Sequence, residues 1–150
     1  MTTQSQSTLS DLLREHTELD DRIAALREWR SQLCQLGQPR FGELGTRLHE
    51  IRDRLAVHFA AEEEGGYLAG PLQAAPHLSG QAEALRTQHE SFLDDLDEMT
   101  TRLTASPVQY ATWGEACREF EEFLSRLQAH ERAENEIAQT AFETDVAAAN

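Results

Sequence analysis

Cysteine is scarce in this sequence, and its two examples, Cys34 and Cys117, lie far apart with no C-x-x-C partner. A disulfide framework or a zinc knuckle has little to build on, and buried spectator thiols are the expectation. Positive charge is scarce as well: 13 Lys and Arg face 27 Asp and Glu, a net charge of −14. A field of that sign repels phosphate backbones and sets nucleic acid aside as a partner. No apolar run approaches the ~20 residues that cross a bilayer. Residues 1–11 lack a charged region followed by an apolar one. The expectation is a chain without signal peptide or membrane anchor, located in the cytoplasm. There is no solenoid repeat, low-complexity block, nucleotide-binding glycine loop or haem-attachment motif.

What is present is helical periodicity. The 150 residues are one domain's worth, and 39% apolar with 27% charged residues is a globular composition. The spacing predicts helices over about 9–36, 41–64, 80–103 and 107–142, with loose tails at both ends. Gly37 followed by Pro39 stops the first, and Gly65-Gly66 stops the second. Ser79 is placed to cap the third. Ser106-Pro107-Val108-Gln109 sets a cap serine, a first-turn proline and a capping-box glutamine in register for the fourth. The first and third connections are short, so the helices they join are expected as antiparallel neighbours. The second, from Gly65 to Leu78, is the longest. An all-α, up-down-up-down four-helix bundle follows.

The apolar stripes are interrupted in a consistent way. They read Leu12, His16, Leu19, Ile23, Leu26 on helix one and Leu48, Ile51, Leu55, His58, Glu62 on helix two. Helix three gives Leu85, His89, Phe92, Leu96, Met99, and helix four gives Phe120, Phe123, Leu127, His130, Glu134, Ile137. Steps of three and four keep each set on one face. Four histidines and two glutamates thus stand where leucine would serve a plain core better. A buried carboxylate costs several kcal/mol unless a cation or a strong hydrogen-bond network compensates it. In up-down-up-down order all six residues also fall at the same end of the bundle, which was no part of their selection. His49 is about half a turn out of phase with His58 and should face solvent, and His77 lies in the second connection.

A metal explains the pattern. The motif H-x-x-x-E occurs twice, at His58–Glu62 and His130–Glu134, and puts both side chains on neighbouring turns of one helix. Imidazoles and carboxylates without thiolate suit iron, manganese or zinc rather than an iron–sulfur cluster. Six ligands are too many for one structural zinc. They divide between two ions, each with two imidazoles and both glutamates bridging. The competing reading is a metal-free interaction module whose polar residues form a hydrogen-bond network.

The order His16, His58-x-x-x-Glu62, His89, His130-x-x-x-Glu134 resembles the hemerythrin-like, or HHE cation-binding, family. The surroundings Leu13-Arg14-Glu15-His16, Glu62-Glu63-Glu64 and Glu134-Asn135-Glu136 look like its usual motif neighbourhoods, and the resemblance covers about residues 8–143. It implies two iron ions, oxo- or hydroxo-bridged, with open positions for dioxygen, peroxide or nitric oxide. The role implied is a carrier or sensor, or alternatively a di-iron peroxidase or nitric-oxide-handling enzyme. Oxygen-carrying hemerythrins place a second histidine four residues after the first on helix three, and here that position is Leu93. Glu63, Glu90, Tyr67 or water would have to complete the set. Tyr67 beside Gly65-Gly66 is also read as an ordinary packing residue. Any catalysis would have to come from the iron pair.

Overall fold

A computed structural model of the chain describes residues 2–36, 40–64 and 75–149. Gly37, Pro39, Gly65, Gly66, Tyr67 and Pro71 lie outside these residues, as do the side chains of Leu12 and Cys34. Among the described residues there are four α-helices and no strand: α1 Thr2–Leu36, α2 Phe41–Glu63, α3 Ser79–Thr104 and α4 Trp113–Ala149. A short 3-10 turn, Pro76–Leu78, leads into α3. No helix among them is long and apolar enough to cross a membrane.

The outer helices run further than the stripes predict. α1 begins at Thr2 and α4 ends at Ala149, where loose tails were expected. Neither helix contains a proline, and the only glycine of either is Gly114 in the first turn of α4. Nothing therefore stops the backbone ladder at the edge of the apolar stripe.

The start of α4 departs from expectation in the other direction. Ser106 and Pro107 do not open it; the segment folds back over the end of α3 instead. The Gln109 amide donates to the Arg102 carbonyl at 2.9 Å, satisfying an acceptor that the helix end leaves open. The Arg102 guanidinium lies 3.9 Å over the ring of Tyr110, which is buried. The cap belongs to Thr112, whose hydroxyl accepts from the Glu115 amide at 3.1 Å. Ser79 is likewise the first residue of α3 rather than its cap, because the 3-10 turn already supplies the entry.

Cross-helix contacts give an antiparallel register throughout. Arg30 donates to Glu121 at 2.6 Å between α1 and α4. Arg52 donates to Asp97 at 3.0 Å between α2 and α3, and Arg126 to Asp95 at 2.8 Å between α3 and α4. The Arg47 guanidinium covers the Trp29 ring at 4.1 Å between α2 and α1. The tightest pairings, α2 with α3 and α1 with α4, are not the ones joined by the short connections. Gly45 shows one reason: a Cβ there would lie 2.7 Å from Thr104 Cγ2, so with Thr104 as it stands glycine suits this close approach of α2 to α3.

The core has two parts. The larger joins Leu19, Ile23, Leu44, Leu48, Leu96 and Phe120 with their neighbours over most of the bundle. The smaller consists of Ala75, Leu78, Leu85, Ile137 and Ala141, at one end. On α3 and α4 the buried polar residues between these clusters are His89, His130, Glu131 and Glu134.

Candidate metal centre

Each helix brings its share to this gap through the same three- and four-residue steps that build the core. His16 comes from α1, His58 and Glu62 from α2, His89 from α3, and His130 and Glu134 from α4. His16, Glu62, His89, His130 and Glu134 are buried, and the side chain of His58 is 12% exposed. On α2 it is Phe59 that occupies the centre of the stripe, with His58 beside it.

The six residues form two overlapping groups. His16 and His58 meet Glu62 and Glu134, and His89 and His130 meet the same two glutamates, with ligand atoms within 4.8 Å of one another in each group. Glu62 turns one oxygen to each side. Its Oε1 lies 2.5 Å from His58 Nε2 and 3.7 Å from His16 Nε2, and its Oε2 lies 3.2 Å from His89 Nε2. Glu134 Oε1 lies 3.0 Å from His130 Nε2 and 3.6 Å from His16 Nε2. The rings pair in the same way, His16 with His58 at 5.1 Å and His89 with His130 at 5.0 Å between centroids.

These approaches lack hydrogen-bond geometry. Nε2 of His16, His89 and His130 and all four oxygens of Glu62 and Glu134 are buried without a hydrogen-bond partner among the described residues. The outward nitrogens are all partnered. His16 Nδ1 meets Asn135 Oδ1 at 2.8 Å, and His58 Nδ1 meets Glu15 Oε2 at 3.0 Å. His89 Nδ1 meets Glu63 Oε1 at 3.1 Å, and His130 Nδ1 meets Gln88 Oε1 at 2.7 Å. Carboxylate and carboxamide oxygens only accept, so each Nδ1 carries the hydrogen and each imidazole, when neutral, turns its Nε2 lone pair inward. Inward lone pairs facing carboxylate oxygens repel unless a cation lies among them.

The chain matches the family model of the hemerythrin HHE cation-binding domain over residues 7–142. It is a member of that family. Comparison with curated proteins and with solved structures finds no match.

The residues present fit the cation that an HHE domain binds. Seven buried polar atoms without hydrogen bonds converge on one space, and their chemistry is that of a hard to borderline divalent ion. Without such an ion, protons take its place. Burial alone would drive His89 towards neutrality, but the Glu134 and Glu62 carboxylates outweigh it and raise the imidazole to about 9. His58 is raised for the same reason, against burial, chiefly by Glu62. Burial pushes Glu62 up, yet the imidazoles of His16, His58 and His89 hold it well below the usual carboxylate range. One carboxyl beside the centre behaves oppositely. Burial, reinforced by Asp20, raises Glu131 to about 9, so it keeps its proton at neutral pH.

All six residues singled out from the stripes of this HHE domain therefore come together. His49 is exposed and pairs with Asp53 at 3.5 Å, and His77 is exposed in the turn before α3; neither reaches the centre. Glu63 is no candidate for direct ligation, because its oxygen faces the outer nitrogen of His89. Glu90 is exposed and belongs to neither group. Tyr67 lies outside the described residues. Leu93 packs against the main core.

The stripe pattern did not identify Glu15, Gln88 and Asn135 as partners. A signal was present: each is next in sequence to a ligand candidate and carries a side-chain oxygen. The aromatic wall was also missed. Phe59 stacks on His89 at 3.9 Å with the planes 4° apart, and Phe92 meets His130 edge-on at 5.1 Å.

Proposed function

We propose that this HHE domain holds a pair of iron ions and binds dioxygen or a related small ligand, peroxide or nitric oxide, as a carrier or sensor. One observation carries the reading: the buried histidines split into two pairs that share the same two glutamates. His16 and His58 would hold one ion and His89 and His130 the other, with Glu62 and Glu134 within reach of both. An iron pair, when bound, supplies electrons to a small oxygen- or nitrogen-containing ligand at positions the protein leaves free.

The chain's own residues set the conditions for that chemistry. Glu62 and Glu134 offset the cationic charge inside the bundle. Phe59 and Phe92 pack against the imidazoles of His89 and His130, and the small cluster of Leu78, Leu85, Ile137 and Ala141 adds an apolar layer beyond them on α3 and α4. Two surface grooves border residues of the centre. A groove of about 400 Å³ between α3 and α4 reaches His130, and one of about 440 Å³ between α1 and α2 reaches His58.

A di-iron peroxidase or nitric-oxide-handling enzyme is the second reading, and Leu93 favours it. With an aliphatic side chain one turn beyond His89, that side of the centre offers fewer nitrogens. The experiment is to load the protein anaerobically with ferrous ion and add dioxygen, peroxide or nitric oxide in turn. New visible absorption that reverses when the ligand is removed supports the carrier or sensor reading. Sustained consumption of peroxide or nitric oxide with a reducing co-substrate supports the enzyme. Iron that binds and responds to none of the three contradicts both.

A further inference from the structure

The four outer contacts form a closed ring around the bundle. The His58 ring on α2 donates to Glu15 on α1, and His89 on α3 donates to Glu63 on α2. His130 on α4 donates to Gln88 on α3, and His16 on α1 donates to Asn135 on α4. Each helix thus holds the histidine of the next. The acceptor precedes the histidine on α1 and α3 and follows the glutamate on α2 and α4, so the arrangement has approximate twofold order.

The chemistry does not follow that order. The α1–α2 half contributes two carboxylates, Glu15 and Glu63, and the α3–α4 half contributes two carboxamides, Gln88 and Asn135. Because every contact steps to the neighbouring helix, the mixture is dealt evenly. The His16–His58 group has one carboxamide and one carboxylate behind it, and so does the His89–His130 group. A carboxylate accepting from Nδ1–H makes the imidazole a more electron-rich donor than a carboxamide does.

We propose that Glu15, Glu63, Gln88 and Asn135 are positioning residues of the metal centre: they hold each Nε2 inward before an ion arrives, and the carboxylates make His58 and His89 the stronger donor of each group. The proposal rests on the di-iron reading and adds where donor strength is set. It requires responses of opposite sign. Glu15→Gln, which keeps shape and hydrogen bond but removes charge, weakens ferrous-ion binding, and Gln88→Glu, which adds charge, strengthens it. Outer partners of metal-bound histidines typically contribute about 10–100-fold in affinity.

The test is anaerobic competition between the full-length protein and a chelator for ferrous ion, with the reduction potential of the loaded protein measured alongside. Glu15→Gln is expected to lose about 10–100-fold in affinity and to move the potential upwards, because the oxidised ion loses more from a weaker donor. Gln88→Glu is expected to move both quantities the other way. Helicity of each metal-free variant reports folding. If Glu15→Gln misfolds, Glu63→Gln carries the same expectation from another helix. Wild-type uptake of iron with both charge variants unchanged, or shifted in the same direction, overturns the ring's role and leaves the di-iron reading standing. Wild-type protein that takes up no ferrous ion overturns both.

Discussion

The two ends of this bundle are built by the same helices and the same spacing, yet they solve opposite problems. At one end, Leu44, Leu48, Leu96, Leu103 and Phe120 are all but inaccessible to solvent and belong to one apolar cluster, while Arg–carboxylate pairs lie outside. At the other, Glu134 is just as buried at 1% exposure but faces histidine nitrogens that do not hydrogen-bond to it. The apolar end gains stability from burial; the polar end gives it up and gathers metal-ligand atoms instead. The same helix spacing serves both ends, with six polar residues standing on stripes that the main core and the small end cluster keep in place.

That contrast breaks most visibly from the apolar side. Leu96→Ala removes a fully buried side chain from the main cluster and should cost about 2–5 kcal/mol, read by urea unfolding of the metal-free protein. A loss under ~0.5 kcal/mol would show that the main cluster is not where stability resides.

Converting the polar end to the apolar kind is the reverse test. Replacing the four histidines by leucine and both glutamates by methionine should stabilise the metal-free fold by roughly 1–4 kcal/mol, as for other buried ionic groups exchanged for apolar ones. Metal uptake should vanish with it. Lower stability in this variant would mean that the polar groups hold the fold together by themselves.

Gly45→Ala tests the close crossing that fixes how α2 meets α3. A methyl 2.7 Å from Thr104 Cγ2 forces either the Thr104 side chain or the helix crossing to shift. Crowding of about 1–3 kcal/mol, partly offset by alanine's better helix propensity of about 1 kcal/mol, leaves a net loss of about 1 kcal/mol. Equal or greater thermal stability would show that the Thr104 side chain or the crossing relaxes freely.

The finest distinction between the ends is pH dependence. In the metal-free protein His89 is raised from 6.5 to about 9 and Glu131 from 4.5 to about 9, so the folded state holds both protons more tightly than the unfolded chain. Their contributions are complete below 6.5 and 4.5 respectively and are lost as pH rises through about 9. The melting temperature should fall between pH 7 and 9.5, and fall less in His89→Leu. A flat or rising profile would contradict the proton's place among the carboxylates.

Much of this was legible in the residues, and the reasons are specific. His16, His89, His130, Glu62 and Glu134 stand at core positions, and three- or four-residue steps from leucines suffice to place them on one face. Their common depth follows from helix order alone. The start of α4 was less legible because Ser106-Pro107 carries a local capping signal that Tyr110 overrides by burying itself over the end of α3. The tight pairing of α2 with α3 involves Gly45, whose importance appears only once Thr104 lies against it. Glu15, Gln88 and Asn135 look like surface residues in the sequence, since their role depends on a neighbouring helix that periodicity does not supply.

The most direct test of the central claim is metal content. The purified protein, titrated anaerobically with ferrous ion and then analysed for elements, is expected to hold about two irons per chain, and Glu134→Ala, which removes a group shared by both positions, to hold none. One ion per chain, or wild-type protein that binds no metal at all, would contradict the shared-glutamate centre.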